Sequence, residues 1–258
     1  MVGVFAMDVG DAALLFGAAF AGGTLNSVAG GGSFLTFPAL VFTHADLVVA
    51  NATSSVALWP GSIASALGYR EELKAEGANL RWLAALSALG GLIGSLTLIA
   101  TPSSIFNTLV PFLMLLATLV FTFGERLRAG LKSAEASRPV VMGAQLAISI
   151  YGGYFGGGMG LMMLAAFTLL GMTQLHRMNA LKSGLGVLIN GVAVAIFAIS
   201  GKIAWAPAGV MVIGAVLGGF GGASLARKVA PAKVRPVVVC IGWTMTAAFF
   251  WRQFGSGS

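Results

Sequence analysis

Asn26-Ser27-Val28-Ala29-Gly30-Gly31-Gly32-Ser33 is the stretch that decides how this chain folds. Apolar residues lead into it from Ala12 and resume after it, from Ser33 to Thr43. Three consecutive glycines interrupt a helix, because glycine loses more backbone freedom than any other residue on becoming helical. Hydrocarbon offers no partner to the N–H and C=O groups that a break releases. Such a break therefore persists only where protein or a water-filled cavity surrounds it. The feature returns as Gly156-Gly157-Gly158 with Gly160. Two breaks at matching places predict a site built from two facing half-helices.

Composition sets the lipid context. The 258 residues are 57% hydrophobic and 9% charged, with a mean hydropathy of +0.92. A soluble domain carries roughly 25% charged residues. Several stretches reach the roughly 20 apolar residues that span a bilayer. The expected class is an all-α polytopic membrane protein. The segment from Met1 to Asp11 has no Lys or Arg, so it lacks the basic flank of a cleavable leader. Cys240 is the single cysteine, which excludes disulfides and cysteine metal clusters within one chain. The net charge of +7 comes from residues in short loops, the marking of cytoplasmic loops rather than of a nucleic-acid surface.

The two breaks belong to an internal repeat. A shift of 128 residues places Gly30 on Gly158, Gly32 on Gly160, Asn51-Ala52 on Asn179-Ala180 and Ser55 on Ser183. The same register places Leu89-Gly90-Gly91 on Leu217-Gly218-Gly219 and Gly94 on Gly222. Glycine matches alone would carry little, since the chain has 37; the Asn-Ala and Ser matches mark a duplication. Residues 1–123 read as the first transmembrane repeat, 124–138 as a linker and 139–252 as the second repeat. Residues 253–258 read as a tail ending in a linker-like Gly255-Ser256-Gly257-Ser258. Each repeat holds a glycine-broken helix pair, re-entrant or tilted, followed by three spanning helices. The pieces Ser33–Thr43 and Leu161–Gly171 have 11 residues each. Each is about 16 Å long, half of a ~30 Å hydrocarbon core.

Basic residues choose the topology. If each broken pair goes in and comes back, 13 Lys and Arg residues fall on one side, and only Lys202 and Arg252 on the other. If each broken pair makes one net crossing, the division is 9 against 6. The positive-inside rule prefers the first arrangement. It makes the repeats inverted, the N-terminus outside and the 124–138 linker cytoplasmic.

The polar residues within this frame define a candidate site. Asn26, Gly30, Gly31, Gly32 and Ser33 precede or open a half-helix whose first N–H groups lack intrahelical acceptors. Glycines let a solute approach that backbone, and the helix dipole favours an anion there. The plain structural reading is a tight helix crossing; two clusters in register, Gly158 and Gly160 being the second, favour an anion cradle. Asn51, Thr53, Ser54 and Ser55 open the next helix, and Asn179, Lys182 and Ser183 occupy the equivalent stretch. Asn51 and Asn179 also suit helix caps, and the hydroxyls can bond back to their own helix. Lys182 precedes a charge-free run from Ser183 to Gly201. Its ammonium either snorkels to the interface or serves as counter-ion to an anion. Tyr154 and Asn190 are secondary polar candidates, Pro60 a kink, and Trp59 a packing or gating residue.

Absences narrow the classes. No Asp or Glu falls in the middle of a span; Asp46 sits near a helix start, and Glu71, Glu72, Glu76 and Glu125 fall in loops. Cation carriers and many proton pumps use an intramembrane carboxylate. His44 and His176, at segment ends, read as interfacial rather than metal ligands. HExxH, nucleophile-elbow and P-loop motifs do not occur, so neither an enzyme nor a cofactor is expected.

The run from Asn26 to Ser33 with Phe37-Pro38, and Ala50-Asn51-Ala52-Thr53, resemble the sulfite exporter TauE/SafE family, also called the 4-toluene sulfonate uptake permease family. Gly156-Gly157-Gly158-Met159-Gly160 and Asn179-Ala180-Leu181-Lys182-Ser183 resemble its second repeat. The resemblance runs from about Leu14 to Phe250. It implies transport of sulfite, organosulfonates and other sulfur-containing anions across the bacterial inner membrane, in either direction.

The expectation is a secondary anion transporter working by alternating access. Its partners are a small anion and the bilayer, with no nucleic acid and no metal. A passive anion channel of the same architecture is the first alternative. An assembly or receptor subunit without flux is the second, and a cation carrier the third. Small-residue motifs such as Gly90-Gly91 with Gly94 pack within or between subunits, so a homo-oligomer fits as well.

Overall fold

The computed structural model describes residues 7–28, 31–43, 45–75, 77–130, 136–226 and 231–255. The described residues form α1 (Val9–Val28), α2 (Ser33–Phe42), α3 (Leu47–Gly68), α4 (Arg70–Ala75), α5 (Gly77–Ala100), α6 (Ser103–Gly130), α7 (Arg138–Tyr154), α8 (Met159–Leu169), α9 (Leu175–Ser200), α10 (Trp205–Ala226) and α11 (Pro231–Phe250). No strand occurs among them. Four stretches, Leu47–Gly68, Leu80–Ala100, Ser103–Gly124 and Arg177–Ser200, are long and apolar enough to cross a bilayer. The chain is a multi-pass membrane protein. Leu89, Leu92, Ile93 and Leu96 on α5 are exposed, as are Phe112, Leu116, Leu119 and Phe123 on α6. Thr36, Asn51, Thr53, Ser54, Thr118, Gln145 and Thr246 are buried. That outward-apolar, inward-polar distribution suits lipid as solvent.

Local sequence explains the ends of these elements. The Asp46 side chain accepts from Val48 N at 2.9 Å and caps the start of α3. Ser137 precedes α7, with a proline in the first turn, where a missing N–H costs nothing. Gly201, at φ +68°, closes α9 in the left-handed conformation that favours glycine. Between α7 and α8 the chain turns through Gly156 at φ +81° and Gly158 at φ +75°. The Tyr151 hydroxyl donates to the Gly157 carbonyl at 2.7 Å, which satisfies a backbone group in that turn. Between α1 and α2, Gly31 has φ +113°; Gly30 lies outside the described residues.

Helix pairings recur across the two halves. Helix α1 packs on α10, and α5 packs on α7. Helix α3 packs on α10, and α5 on α9; α2 meets α11, and α8 meets α6. Helices α3 and α9 meet each other, as do α6 and α11. Exchanging α1 with α7, α2 with α8, α3 with α9, α5 with α10 and α6 with α11 maps this set of pairings onto itself.

Several boundaries differ from the sequence reading. Helix α6 runs to Gly130, so residues 124–130 of the expected linker are helical. Arg70–Ala75, read as a loop, forms α4, where Arg70 pairs with Glu71 at 3.3 Å. Trp251–Gly255 continues past α11 as a π-helical turn, and the Phe254 ring packs against Phe112 and Phe250. Residues 253–255 of the expected tail thus join the fold. The repeat register also slips by one helical turn. A Cβ on Gly94 would strike the Ile150 carbonyl, and one on Gly218 would strike the Phe20 carbonyl. Gly94 therefore corresponds in packing to Gly218, not to Gly222. The first half carries α4 between α3 and α5, whereas four residues link α9 to α10. Gly90 and Gly94 pack on α7 within the same chain.

Candidate functional site

The end of α1, the starts of α2 and α8, and the middles of α3 and α9 surround a partly enclosed cavity. Its volume is about 90 Å³ for water-sized spheres. A single water needs roughly 10–15 Å³ by that measure. The space thus admits several waters or a small oxyanion.

Helix periodicity puts the lining residues on one face of each long helix. Helix α3 contributes Ser55, Leu58 and Ser62; α9 contributes Ser183, Gly186 and Asn190. Both sets have the spacing i, i+3, i+7 of a single helical face. Each α3 residue is 128 positions from its α9 counterpart. Gly31 and Met159, and Ser33 and Leu161, also line the cavity at that separation. The cavity therefore lies where the two halves meet. Its remaining wall comes from Asn26, Gly61, Phe121, Phe155, Gly156, Gly158, Gly160 and Lys182.

The electrostatics are one-sided. Helices α2 and α8 both begin at the cavity, with Ser33 and Gly160 in its wall. Phe34, Leu35, Met159 and Leu161 donate their N–H groups to the carbonyls of Gly31, Gly32, Gly156 and Gly158. Among the described residues, that leaves the N–H groups of Ser33 and Gly160 as the first-turn donors at the cavity, and each helix start carries roughly half a positive charge. Lys182 adds a full one. Its stem lies over Gly160: a Cβ there would come within 3.1 Å of Lys182 Cδ and 3.5 Å of Cγ. Among the described residues, no carboxylate or hydrogen-bond acceptor pairs with Lys182. Among the described residues, no Asp or Glu lines the cavity. The equivalent position in the first half is Ser54, so the charge is not duplicated.

Eight of the thirteen residues expected from sequence line this cavity: Asn26, Gly31, Ser33, Ser55, Gly158, Gly160, Lys182 and Ser183. Gly30 lies outside the described residues. Gly32 is buried against α1, where a Cβ would come within 2.5 Å of the Gly22 carbonyl oxygen. Ser54 is buried and shares a 2.6 Å hydrogen bond with Thr36. Asn51 is buried and donates to the Tyr154 carbonyl at 2.9 Å. Asn179 is half-buried outside the lining. Thr53 accepts from Ala204 N at 3.0 Å. Trp59 Nε1 donates to the Val187 carbonyl at 3.0 Å, across the contact of α3 with α9. His44 and the His176 side chain lie outside the description.

Ser62, Gly61, Gly186, Phe121 and Phe155 are lining residues that the sequence reading passed over. Ser62 and Asn190 left a signal, because each sits seven residues beyond a serine already singled out. Asn26 Nδ2 donates to Ser62 Oγ at 3.2 Å, linking the end of α1 to α3.

Comparison with known proteins identifies the family. The family description "Sulfite exporter TauE/SafE" matches residues 15–249. The chain is similar to a protein named "Probable membrane transporter protein" from Haemophilus influenzae, at 30% identity over 96% of this chain and 98% of that one. It is similar to "Probable membrane transporter protein YfcA" of Escherichia coli, at 25% identity over 94% of this chain and 90% of the relative. A Sinorhizobium protein, "Probable membrane transporter protein ORF9", is 26% identical over 89% of this chain and 88% of its own length. No solved structure matches the chain. A family description spanning nearly every helix, and relatives aligned almost end to end, mean that this chain belongs to the sulfite exporter TauE/SafE family of membrane transporters.

Proposed function

We propose that this transporter moves sulfite, organosulfonates or related sulfur-containing anions across the bacterial inner membrane, by alternating access around the cavity between its halves. One observation carries the reading: the cavity collects Lys182 and the starts of α2 and α8, with no carboxylate in its wall among the described residues. Cavity hydroxyls from Ser33 and Ser183 and amides from Asn26 and Asn190 supply polar contacts for an oxyanion, whereas the Ser55 hydroxyl donates to the Asn51 carbonyl at 2.9 Å. Charge-assisted bonds from Lys182 and backbone N–H groups hold it. The matched helix pairings support two structural repeats, and the basic-residue count supports their inverted topology. The basic-residue count supports an N-terminus outside and a cytoplasmic linker.

Flux of labelled sulfite and small sulfonates into proteoliposomes tests this. A hydrogen bond to a charged group is worth about 1.5–3 kcal/mol. Lys182→Ala is therefore expected to weaken apparent affinity roughly 10- to 100-fold. Wild-type transport in Lys182→Ala removes this cavity as the site. Counterflow stimulated by substrate on the far side distinguishes a carrier from a pore, which instead passes a voltage-driven current.

A further inference from the structure

Positions 51 and 179 are equivalent in the repeat, yet their side chains are engaged differently. Asn51 Nδ2 donates to the Tyr154 carbonyl at 2.9 Å and ties the start of α3 to the end of α7. Thr53 strengthens the same closure by accepting from Ala204 N. The Tyr154 ring packs edge-on against Phe106, and its hydroxyl reaches Thr101 Oγ1 at 3.4 Å. Asn179 stands at the start of α9 in the same way, and the end of α1 is the counterpart of the end of α7. Among the described residues Asn179 forms no hydrogen bond. The last turn of α1 presents carbonyls that helix geometry leaves without intrahelical donors. Asn26, in that turn, is part of the cavity wall.

We infer that Asn51 and Asn179 are alternating latches, Asn51 closing one end of the transport path here and Asn179 closing the other end on the last turn of α1 in the opposite state. Two related halves that exchange conformations exchange their contacts. The Asn51 contact opens as the Asn179 contact forms. Residues 50–54 of α3 are buried whereas Gly61, Ser62 and Asn26 are half-buried; with the basic side cytoplasmic, that places the closed end outside and the open end towards the cytoplasm. The inference rests on the alternating-access reading. It adds to it the two side chains that set the balance between states.

The test is thiol accessibility in membrane vesicles without any anion, so it is independent of substrate identity. Cys240 is replaced by Ser, because it is the exposed free cysteine, and Ser62→Cys reports on the open end. A membrane-impermeant maleimide is applied to inside-out vesicles. Loss of the Asn51 donor in Asn51→Ala is expected to slow labelling roughly fivefold, the population change of one ordinary hydrogen bond. Asn51→Leu removes the same donor at nearly constant volume and must slow labelling as well. Asn179→Ala is expected to label at least as fast as the parent. Unchanged labelling in both Asn51 variants overturns the proposal, as does slowing by Asn179→Ala. If sulfur-anion flux is absent but the opposed labelling responses appear, the latches stand and only the substrate reading falls.

Discussion

Thr118 Oγ1 and Thr246 Oγ1 lie 3.1 Å apart in the buried contact of α6 with α11, and 128 positions apart in the chain. Trp59 and Val187, joined across α3 and α9, are separated by the same number. Equivalent residues of two related halves touch each other only on the axis that relates them. Under the proposed inverted repeat, these contacts mark two points of such a line. Ser55 and Ser183, with Ser62 and Asn190, bring equivalent positions of both halves to one cavity. A solute at the symmetry axis keeps comparable contacts when the halves exchange shapes, which suits a carrier.

The threonine pair makes a stability prediction. Each hydroxyl is buried in a membrane protein, where an interhelical hydrogen bond is worth about 0.6 kcal/mol on average. Thr118→Val and Thr246→Val each leave one hydroxyl without its partner. The double variant is therefore expected to cost less than the sum of the singles, by roughly that amount. Unfolding in detergent, measured for all four proteins, gives the coupling. Additive losses would separate the two residues energetically.

Two glycines are expected to fail in different ways. A Cβ on Gly94 would strike the Ile150 carbonyl in the α5–α7 contact, and a backbone atom cannot swing aside. Gly94→Ala is expected to cost about 1–3 kcal/mol by overpacking, seen as a lower thermal midpoint. A Cβ on Gly160 would meet Lys182 Cδ, part of a flexible stem that can move. Gly160→Ala is expected to keep a near-parental midpoint while displacing the ammonium and weakening anion transport several-fold. Equal thermal losses in both variants would contradict the distinction.

Those glycines also show what the sequence could reveal. The Gly30-Gly31-Gly32 and Gly156-Gly157-Gly158 runs announced where helices end, because glycine is a poor helix former in any context. Lys182 was legible because a lone charge before a long apolar run is costly unless it has a use. Asn51 and Ser54 were legible as polar but not as internally bonded. A helical residue has neighbours on several faces, and only tertiary packing says whether Thr36 or a solute lies opposite. The register of α10 was misread for a related reason. Gly90-Gly91 matches Gly218-Gly219 in letters, but the contact with Phe20 selects Gly214 and Gly218 instead.

Inverted repeats require a definite sidedness. Gly68 ends α3 and Ser137 precedes α7, and both are exposed. Ser103 and Gly201 are exposed at the starts and ends of α6 and α9, on the opposite side in the inverted arrangement. In a Cys240→Ser background, Gly68→Cys and Ser137→Cys are expected to react with an impermeant maleimide only from the cytoplasm. Ser103→Cys and Gly201→Cys are expected to react only from outside. Labelling of Gly68→Cys and Ser137→Cys from opposite faces would give each half the same orientation and remove the basis for exchange.

Ser62 and Asn190 provide the sharpest test of the cavity, because its geometry adds Ser62 and promotes Asn190 from a secondary candidate to a wall residue. Both are equivalent positions in the repeat, and both line the wall. Ser62 is held by Asn26, whereas Asn190 forms no hydrogen bond among the described residues. An amide facing a cavity without a protein partner is expected to bond to water or solute. Asn190→Ala removes no protein contact of that kind, so its midpoint is expected to stay within about 0.5 kcal/mol of the parent. Its transport KM is expected to rise roughly fivefold, the value of one neutral hydrogen bond. Asn190→Leu keeps the size but not the amide and is expected to transport no better. Parental KM in both variants would mean that the transported anion passes elsewhere, whatever the cavity holds.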